Sequence, residues 1–141
     1  MPTSPNKDIN QKIIEEFRAN GGKVGGMTAG TFMPIALLTT TGARSGQQRV
    51  TPVVYLQEGE RMFVCASNGG MPTHPDWYHN IIAHPEVTVE VGDQKFQAKA
   101  VVITGKERDE IYAKQARLMP NFAEYQQQTT RVIPVVELVR R

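Results

Sequence analysis

The chain contains a single cysteine, Cys65, and no long apolar run among its 141 residues. One cysteine excludes an intramolecular disulfide and a metal site built from several thiolates, and it is typical of a reducing compartment. Because Cys65 lies in the apolar run 62–66, we interpret it as a buried small side chain rather than a nucleophile. No segment approaches the roughly 20 apolar residues of a membrane span, and the first residues lack a signal-peptide core. The expected location is therefore the cytoplasm.

The net charge of the chain is also small. Its 16 Lys and Arg residues are nearly balanced by 14 Asp and Glu residues, which leaves +2. This balance excludes the general basic field that captures nucleic acid, so any anion site must be local. No Ser-His-Asp arrangement is visible, and hydrolytic chemistry has no evident machinery. His74, His79 and His84 are five residues apart, a spacing that does not place two ligands on one helix face, so we expect no metal site.

The length fits one domain spanning 1–141, with an N-terminal helix and connector over about 1–31. Short apolar or β-branched segments predict strands over 35–41, 50–56, 61–66, 87–91, 95–104 and 132–138. Their number and the lack of a βαβ alternation favour a small barrel of about six strands with two to three helices.

Helix signals surround these strands. Asn6 or Asp8 is the expected cap of a helix that ends at Asn20, and a second helix is expected over 75–83. Thr104 and Glu107 have the spacing of a capping box for a third helix that Pro120 halts. Two segments stay open: 23–31 is either a connector that closes over a ligand or a plain linker, and 120–129 is either a cleft wall or a surface turn.

The polar loop around 39–49 is the most unusual segment, since it places Arg44 and Arg49 beside Gly42 and Gly46 between two apolar strands. Guanidinium groups and backbone N–H groups exposed by the glycines would suit a phosphate or carboxylate. The loop matches no phosphate-binding motif, so an anion site and a solvated hairpin both remain open.

Polar groups also follow the third strand and begin the middle helix. Ser67 and Asn68 are expected at a strand end, where they could contact a polar ring edge or form an ordinary turn. Within 76–80 we expect Trp77 in the core, whereas Tyr78 and Asn80 could face a ligand.

Taken together, five blocks resemble one family: LTTTGARSG at 38–46, RVTPVVY at 49–55, ASNGG at 66–70, PDWYHN at 75–80 and PNFAEY at 120–125. The chain is similar to the deazaflavin-dependent nitroreductase family from the N-terminal helix to the last strand. The resemblance implies a split β-barrel related to the flavin mononucleotide-binding barrels. It also implies coenzyme F420 as the cofactor, lying in a groove between sheet and helices.

The resemblance carries residue roles. Those implied to hold the cofactor's phosphate and acidic polyglutamyl tail are Ala43, Arg44, Ser45 and Arg49. Those implied to border the ring system are Val50, Thr51, Pro52, Val53, Val54, Cys65, Ala66, Ser67 and Asn68. A further cofactor-binding block is Asp76, Trp77, Tyr78, His79 and Asn80, and Tyr125 lies near ring and substrate. Tyr55 and Ser67 are implied to lie near the acceptor. The family often has a basic residue where Asn68 stands and a tyrosine where Phe122 stands.

The implied reaction is hydride transfer from reduced deazaflavin to a quinone, a nitroaromatic compound or an activated enone. The accompanying proton would come from solvent or from Tyr55, Ser67 or Tyr125, which are the catalytic candidates. Two alternatives stay open: a flavin mononucleotide-dependent reductase on the same barrel, and a module that binds deazaflavin or a lipophile without catalysis. A monomer and a homodimer are both compatible with the sequence, as is peripheral contact with the cytoplasmic face of a membrane.

Overall fold

The computed structural model describes residues 5–22, 24–25 and 32–141, and the side chains of 10–22 and 34–141. Its helices are α1 (Pro5–Ala19), α2 (Asp76–Ala83), α3 (Gly105–Leu118) and α4 (Asn121–Gln127), with a 3-10 turn at Asn68–Gly70. Its strands are β1 (Val24–Gly25), β2 (Phe32–Met33), β3 (Ile35–Thr41), β4 (Gln48–Glu58), β5 (Arg61–Cys65), β6 (Glu86–Val91), β7 (Gln94–Ile103) and β8 (Val135–Arg140). None of the helices so described combines the length and apolar character needed to cross a membrane.

Six strands close into an antiparallel barrel in the order β3-β4-β5-β8-β7-β6, while β1 and β2 pair with each other. Three of the pairings join consecutive strands through short connections, including the hairpin in which Glu58 faces Arg61 across the turn at Gly59. The pairings of β3 with β6 and of β8 with both β5 and β7 complete the wall. The split-barrel prediction is confirmed, and closure leaves the barrel without the unpaired edges of an open sheet.

Alternation along each strand sends one set of side chains into the barrel. All six strands contribute to a single interior cluster, which includes Leu38, Val64, Val89, Ala98 and Val136. Trp77 and Ile81 of α2 belong to the same cluster. Because the wall is a continuous hydrogen-bonded sheet, a helix can reach the interior only at a barrel end, so α2 covers one end. Trp77 is 6% exposed, which confirms its predicted place in the core.

The side chains that point outward from the barrel wall are covered by α1, α3 and α4. Ile14 and Phe17 of α1 pack on Ile35 and Leu37 of β3. A second outer cluster joins apolar side chains of α3 and α4 to β4, β5 and β8, through Leu56, Phe63, Ile111, Tyr112, Phe122 and Val135. Full burial of such a side chain stabilises the fold by about 1.5–3 kcal/mol. The barrel is thus a wall with apolar contacts on both of its faces.

Several sequence-based expectations were wrong in detail. Asn6 and Asp8 lie inside α1 rather than at its cap. Thr104 precedes α3 without a side-chain capping bond, and the carboxylate of Glu107 pairs with Arg61 at 3.4 Å. The structure has four described helices rather than two or three, because 121–127 form α4 instead of a turn.

Strand limits and the connector also differ from expectation. The final strand begins at Val135 rather than at residue 132. Val24–Gly25 form a strand inside the expected connector, and the connector's remaining residues, 23 and 26–31, lie outside the described part of the chain.

Adjacent glycines after α1 provide a test of how tightly this helix docks. Gly22 has φ +89°, and a Cβ built there would lie 2.3 Å from Gly92 Cα, whereas Gly21 has φ +63° and open space. We expect Gly22→Ala to lower the free energy of unfolding by about 2–4 kcal/mol through backbone collision and strain. The matched control Gly21→Ala should cost about 1 kcal/mol from φ alone. Equal costs in urea unfolding would contradict the close contact.

Candidate functional site

The loop between β3 and β4 is closed by its own hydrogen bonds. The N–H of Gly42 donates to the carbonyl of Gln47 at 2.7 Å, and the N–H of Gly46 donates to the carbonyl of Gly42 at 3.0 Å. The hydroxyl of Ser45 accepts the N–H of Gln47 at 3.1 Å. The N–H groups of both glycines therefore shape the loop, and an anion site here would rest on the remaining groups of the loop, which stays a prediction.

Asn80 of α2 ties this loop to the barrel. Its Oδ1 accepts the N–H of Ala43 at 3.0 Å, and its Nδ2 donates to Oγ1 of Thr40 at 3.1 Å. Both Asn80 and Thr40 are buried, so these bonds are shielded from water. The amide of Asn80 thus joins the loop to β3 and holds the loop in place. Direct contact between Asn80 and a ligand stays a prediction.

Two exposed guanidiniums stand at this end of the barrel. Arg44 lies in the loop, and Arg49 on β4 pairs across the sheet with Thr40, the partner of Asn80. No residue in the described part of the chain forms a salt bridge or side-chain hydrogen bond with either arginine. Because guanidiniums are strong bidentate ligands of phosphate and carboxylate, this end is chemically suited to an anionic group.

Strand β4 divides its candidate residues between the two faces of the barrel wall. Val53 and Tyr55 pack against the interior cluster, whereas Val50 and Val54 pack against the cluster under α1 on the outer face. By alternation Thr51 faces inward and Pro52 outward. Only one half of the predicted stretch 50–54 can therefore face a ligand in an external groove.

The segment 66–74, called the Ser67 segment below, connects β5 to α2. Asn68 has φ +48°, and its Nδ2 donates to the carbonyl of Thr73 at 3.0 Å, so the amide holds the segment's own turn. A Cβ on Gly70 would lie 3.1 Å from the Tyr125 backbone, which shows how closely the segment approaches α4. The hydroxyl of Ser67 has no hydrogen bond to any described residue.

Arg131 holds the Ser67 segment. Its guanidinium donates to the carbonyls of Ser67 at 2.7 Å, Met71 at 3.0 Å and Ala66 at 3.2 Å, and it lies 3.0 Å from Nδ1 of His74. Burial lowers the pKa of Arg131, yet an arginine stays protonated near neutral pH. This arginine was missed by sequence reasoning, because it follows a polar tract and belongs to no motif that names its contacts.

His74 links the Ser67 segment to α2. Its ring centroid lies 4.7 Å from that of Tyr78 and 5.8 Å from that of His79. Desolvation lowers the pKa of His74, and the positive charges of Arg131 and of His79 lower it further. The imidazole is therefore held in its neutral form over a wider pH range than an exposed histidine.

Tyr125 lies on α4, on the outer side of the wall. Its hydroxyl oxygen accepts Nδ2 of Asn121 at 2.9 Å, and its ring packs edge-on against Phe122 with centroids 5.3 Å apart. Because Asn121 donates to the oxygen, the phenolic hydrogen remains available to donate elsewhere. Phe122 itself is 6% exposed and belongs to the core beneath Tyr125.

Cys65 is half-buried behind the same outer cluster. Desolvation raises the pKa of its thiol to about 12, against a smaller opposing effect of the positive charge of Arg108. A thiol with this pKa is protonated at neutral pH and is a poor nucleophile. The interpretation of Cys65 as a packing residue agrees with this chemistry.

Several predicted site residues form one connected arc. The arc runs from the 42–47 loop through Asn80 and Tyr78 to His74, then through Arg131 to Ser67, and by Gly70 to Tyr125. Tyr55 packs inside the barrel and Tyr125 outside it, so these two catalytic candidates lie against opposite faces of the wall. The roles assigned to Asp76 and His79, both exposed, stay predictions.

Comparison with known proteins adds a family and a set of relatives. Residues 10–139 match the family model described as F420H2-dependent quinone reductase. The chain is 36% identical over 130 residues to F420H2-dependent quinone reductase Rv1261c of Mycobacterium tuberculosis, covering 89% of this chain and 85% of that protein.

Solved structures agree with this assignment. One described as F420-H2 dependent reductase FDR-A is 40% identical, with a TM-score of 0.69, over 74% of this chain and 93% of that one. A second, described as a domain-swapped dimer, is 35% identical, with a TM-score of 0.70, over 96% and 99%.

The support that Asn80 gives the loop can be tested by truncation. Asn80→Ala should lower the free energy of unfolding by about 1–3 kcal/mol, because it leaves the buried Thr40 hydroxyl and the Ala43 N–H without partners. Ile82→Ala, which changes an exposed side chain of the same helix, should change it by less than about 0.5 kcal/mol. Amide exchange at Ala43 should rise only in the Asn80 variant. If exchange at Ala43 is unchanged, the loop does not depend on this bond.

Proposed function

Since the chain belongs to the F420H2-dependent quinone reductase family, we propose that it is an F420H2-dependent oxidoreductase whose acceptor is a quinone. The observation that carries the proposal is the pair Arg44 and Arg49, two exposed guanidiniums without a carboxylate partner in the described part of a nearly neutral protein. F420 carries a phosphate and an acidic tail, so the donor set of this end fits the charged half of the cofactor.

The apolar half of the cofactor has a matching surface. Val50, Pro52 and Val54 line the outer face of β4, and Val54 packs against both outer clusters, between α1 on one side and α3 and α4 on the other. A ring lying there would be shielded from water on one face by β4. This placement supports ring contacts for the outward residues of 50–54 and leaves Thr51 and Val53 as supports within the wall.

Reduced deazaflavin supplies a hydride when it is bound, so the protein has to orient the two reactants and manage a proton. Tyr125 is the favoured proton donor, because Asn121 fixes its oxygen and leaves its hydrogen free. Ser67, whose hydroxyl has no partner among the described residues, is the second candidate. Tyr55 remains a predicted proton donor, and its packing inside the barrel makes it a less favourable candidate than Tyr125 or Ser67.

The acceptor pocket would lie beside Tyr125, above Phe122. Because Phe122 is buried in the core, the absence of a hydroxyl there removes a polar group from the floor of the pocket. An apolar floor favours a quinone, a nitroaromatic compound or an enone with a flat hydrophobic body, and of these the family description favours the quinone.

The assembly of the protein belongs to the same proposal. The relative described as a domain-swapped dimer covers nearly this whole chain, which favours a homodimer over a monomer. Peripheral contact with a membrane, where lipophilic quinones reside, stays a prediction from the sequence.

Anaerobic turnover tests the function. We expect the protein mixed with F420H2 and menadione to oxidise the deazaflavin, followed by the return of its visible absorbance, with slower turnover of a nitroaromatic compound and of cyclohexenone. Reduced flavin mononucleotide replaces F420H2 in a parallel arm. Binding of F420 without turnover of any acceptor would favour the non-catalytic module. Turnover supported only by the flavin would overturn the cofactor assignment.

Removal of one guanidinium tests the anion site. Arg49→Ala should weaken F420 binding by about 1.5–3 kcal/mol if the side chain makes a charge-assisted contact. Arg117→Ala, at an exposed arginine near the end of α3, should leave the dissociation constant unchanged. Fluorescence titration at low and high salt measures both. An unchanged constant for Arg49→Ala at low salt would place Arg49 outside the site.

A further inference from the structure

The guanidinium of Arg131 has an uncommon set of partners. Arg18 and Arg61 pair with carboxylates, whereas Arg131 contacts three backbone carbonyls and one imidazole. All four acceptors belong to the Ser67 segment. Since hydrogen bonds to a charged donor are stronger than neutral ones, this single side chain makes a strong tertiary restraint on that segment, beside the bond from the Ala66 N–H to the carbonyl of Pro134 at 2.9 Å.

The acceptors bracket the 3-10 turn. Ala66 and Ser67 precede Asn68–Gly70, and Met71 and His74 follow it, so the guanidinium joins the two sides of the turn. A planar fork with five N–H donors can reach such a spread of acceptors, whereas a lysine ammonium cannot. Removal of the guanidinium would therefore break the hydrogen bonds on both sides of the turn at once.

The backbone of Arg131 is itself held in place by α3 and α4. Its carbonyl accepts Nε2 of Gln126 at 2.8 Å, and Oε1 of Gln126 accepts Nη2 of Arg108 at 2.6 Å. Arg108 also donates to the carbonyl of Ile133 at 3.0 Å. The position of Arg131 is therefore set by α3 and α4, and α4 also carries Tyr125.

His74 makes the contact dependent on protonation. Nδ1 can accept from Arg131 only while it carries no proton, which places the proton of the neutral ring on Nε2. The groups recorded around the ring are Arg131 from the chain before β8 and Tyr78 and His79 from α2. A protonated His74 would lose the bond and set a positive charge against the guanidinium.

We propose that Arg131 is a positioning residue that holds Ser67 and Asn68 at the edge of the cofactor site, and that its hold is complete only while His74 is neutral. The proposal rests on the proposed function for the identity of the site, although the restraint itself exists in the free protein. Acidification should loosen the Ser67 segment before it affects the barrel.

The expected pH window follows from the lowered pKa of His74. A group whose folded pKa is depressed binds more protons in the loosened state between its folded value and the ordinary value of about 6.5. The stability of the segment is therefore complete above about pH 6.5 and is lost as pH falls below it toward the folded pKa.

Amide hydrogen exchange on the free protein tests the restraint without any cofactor. Arg131→Met should lower the protection factors of amides in 66–74, including Gly70 and Met71, by about tenfold or more, while those in β6 stay unchanged. Arg131→Lys keeps the charge and should recover only part of the protection. Arg61→Met, which removes an arginine with carboxylate partners, is the matched control and should leave 66–74 unchanged. Wild-type protection in Arg131→Met, or full recovery in Arg131→Lys, would overturn the proposal.

A pH series with His74→Gln provides a second arm that needs no change at Arg131. The amide oxygen of glutamine can accept from the guanidinium but does not titrate in this range. Protection factors in 66–74, corrected for intrinsic exchange, should fall in the wild type between pH 7 and 5 and stay level in His74→Gln. The same fall in both proteins would exclude His74 as the sensor and overturn that half of the proposal. If Arg131→Met does not fold, this arm still tests the role of His74, and Arg131→Lys tests that of the guanidinium.

Binding and kinetics connect the restraint to the site. In Arg131→Met we expect the dissociation constant of F420 and the KM for menadione to rise about tenfold, with a smaller fall in kcat, because positioning rather than chemistry is lost. If the wild type neither binds F420 nor reduces menadione, the proposed function fails while the exchange result still decides the restraint. If the wild type is active and Arg131→Met loses exchange protection but binds F420 normally, the positioning role is overturned.

Discussion

Closure of the six strands is the constraint on which the rest of this structure depends. Once the wall is continuous, every strand residue faces either inward or outward, and neighbouring residues must take opposite sides. The interior is filled by one apolar cluster, which includes Trp77 and Ile81 of α2. A ligand is therefore left with the outer face and the barrel end. Arg44 and Arg49, which have no partner among the described residues, and the tyrosine of α4 lie there.

A small number of polar side chains convert this rigid wall into a defined site. Asn80 connects α2 to the 42–47 loop, and Arg131 connects the Ser67 segment to the chain before β8. Arg108 and Gln126 continue the second connection into α3 and α4. Each of these groups replaces lost hydration with several hydrogen bonds, which is the condition for burying polar groups at acceptable cost. The loops of the site are thus ordered by side-chain bonds rather than by the sheet.

The side chains at the candidate site are suited to a reductase whose cofactor performs the demanding chemical step. In the proposed function, Arg44 and Arg49 would bind the cofactor's anionic groups, the apolar surface of β4 would contact its ring, and Tyr125 would donate its hydroxyl hydrogen. Cys65 and Tyr112, whose pKa values are both raised to about 12 by desolvation above all, are packing groups rather than reactants. The protein's own residues would therefore bind and orient the reactants, as expected where a bound coenzyme supplies the chemistry.

Local pattern alone determined a good part of this protein. Period-two alternation and turn residues predicted the six strands of the barrel, because a strand depends on near neighbours in the chain. The ordered motif blocks gave the family, which the match over 10–139 confirms.

Tertiary structure decided what depends on distant contacts. It placed Tyr55 and Tyr125 on opposite faces, used the glycine N–H groups of the 42–47 loop internally, folded 121–127 as a helix, and gave Glu107 to Arg61 instead of a capping bond. The roles of Asn80 and Arg131 come from partners 37 to 65 residues away in the chain. No local spacing encodes such contacts, because the closing of the barrel is what brings those segments together.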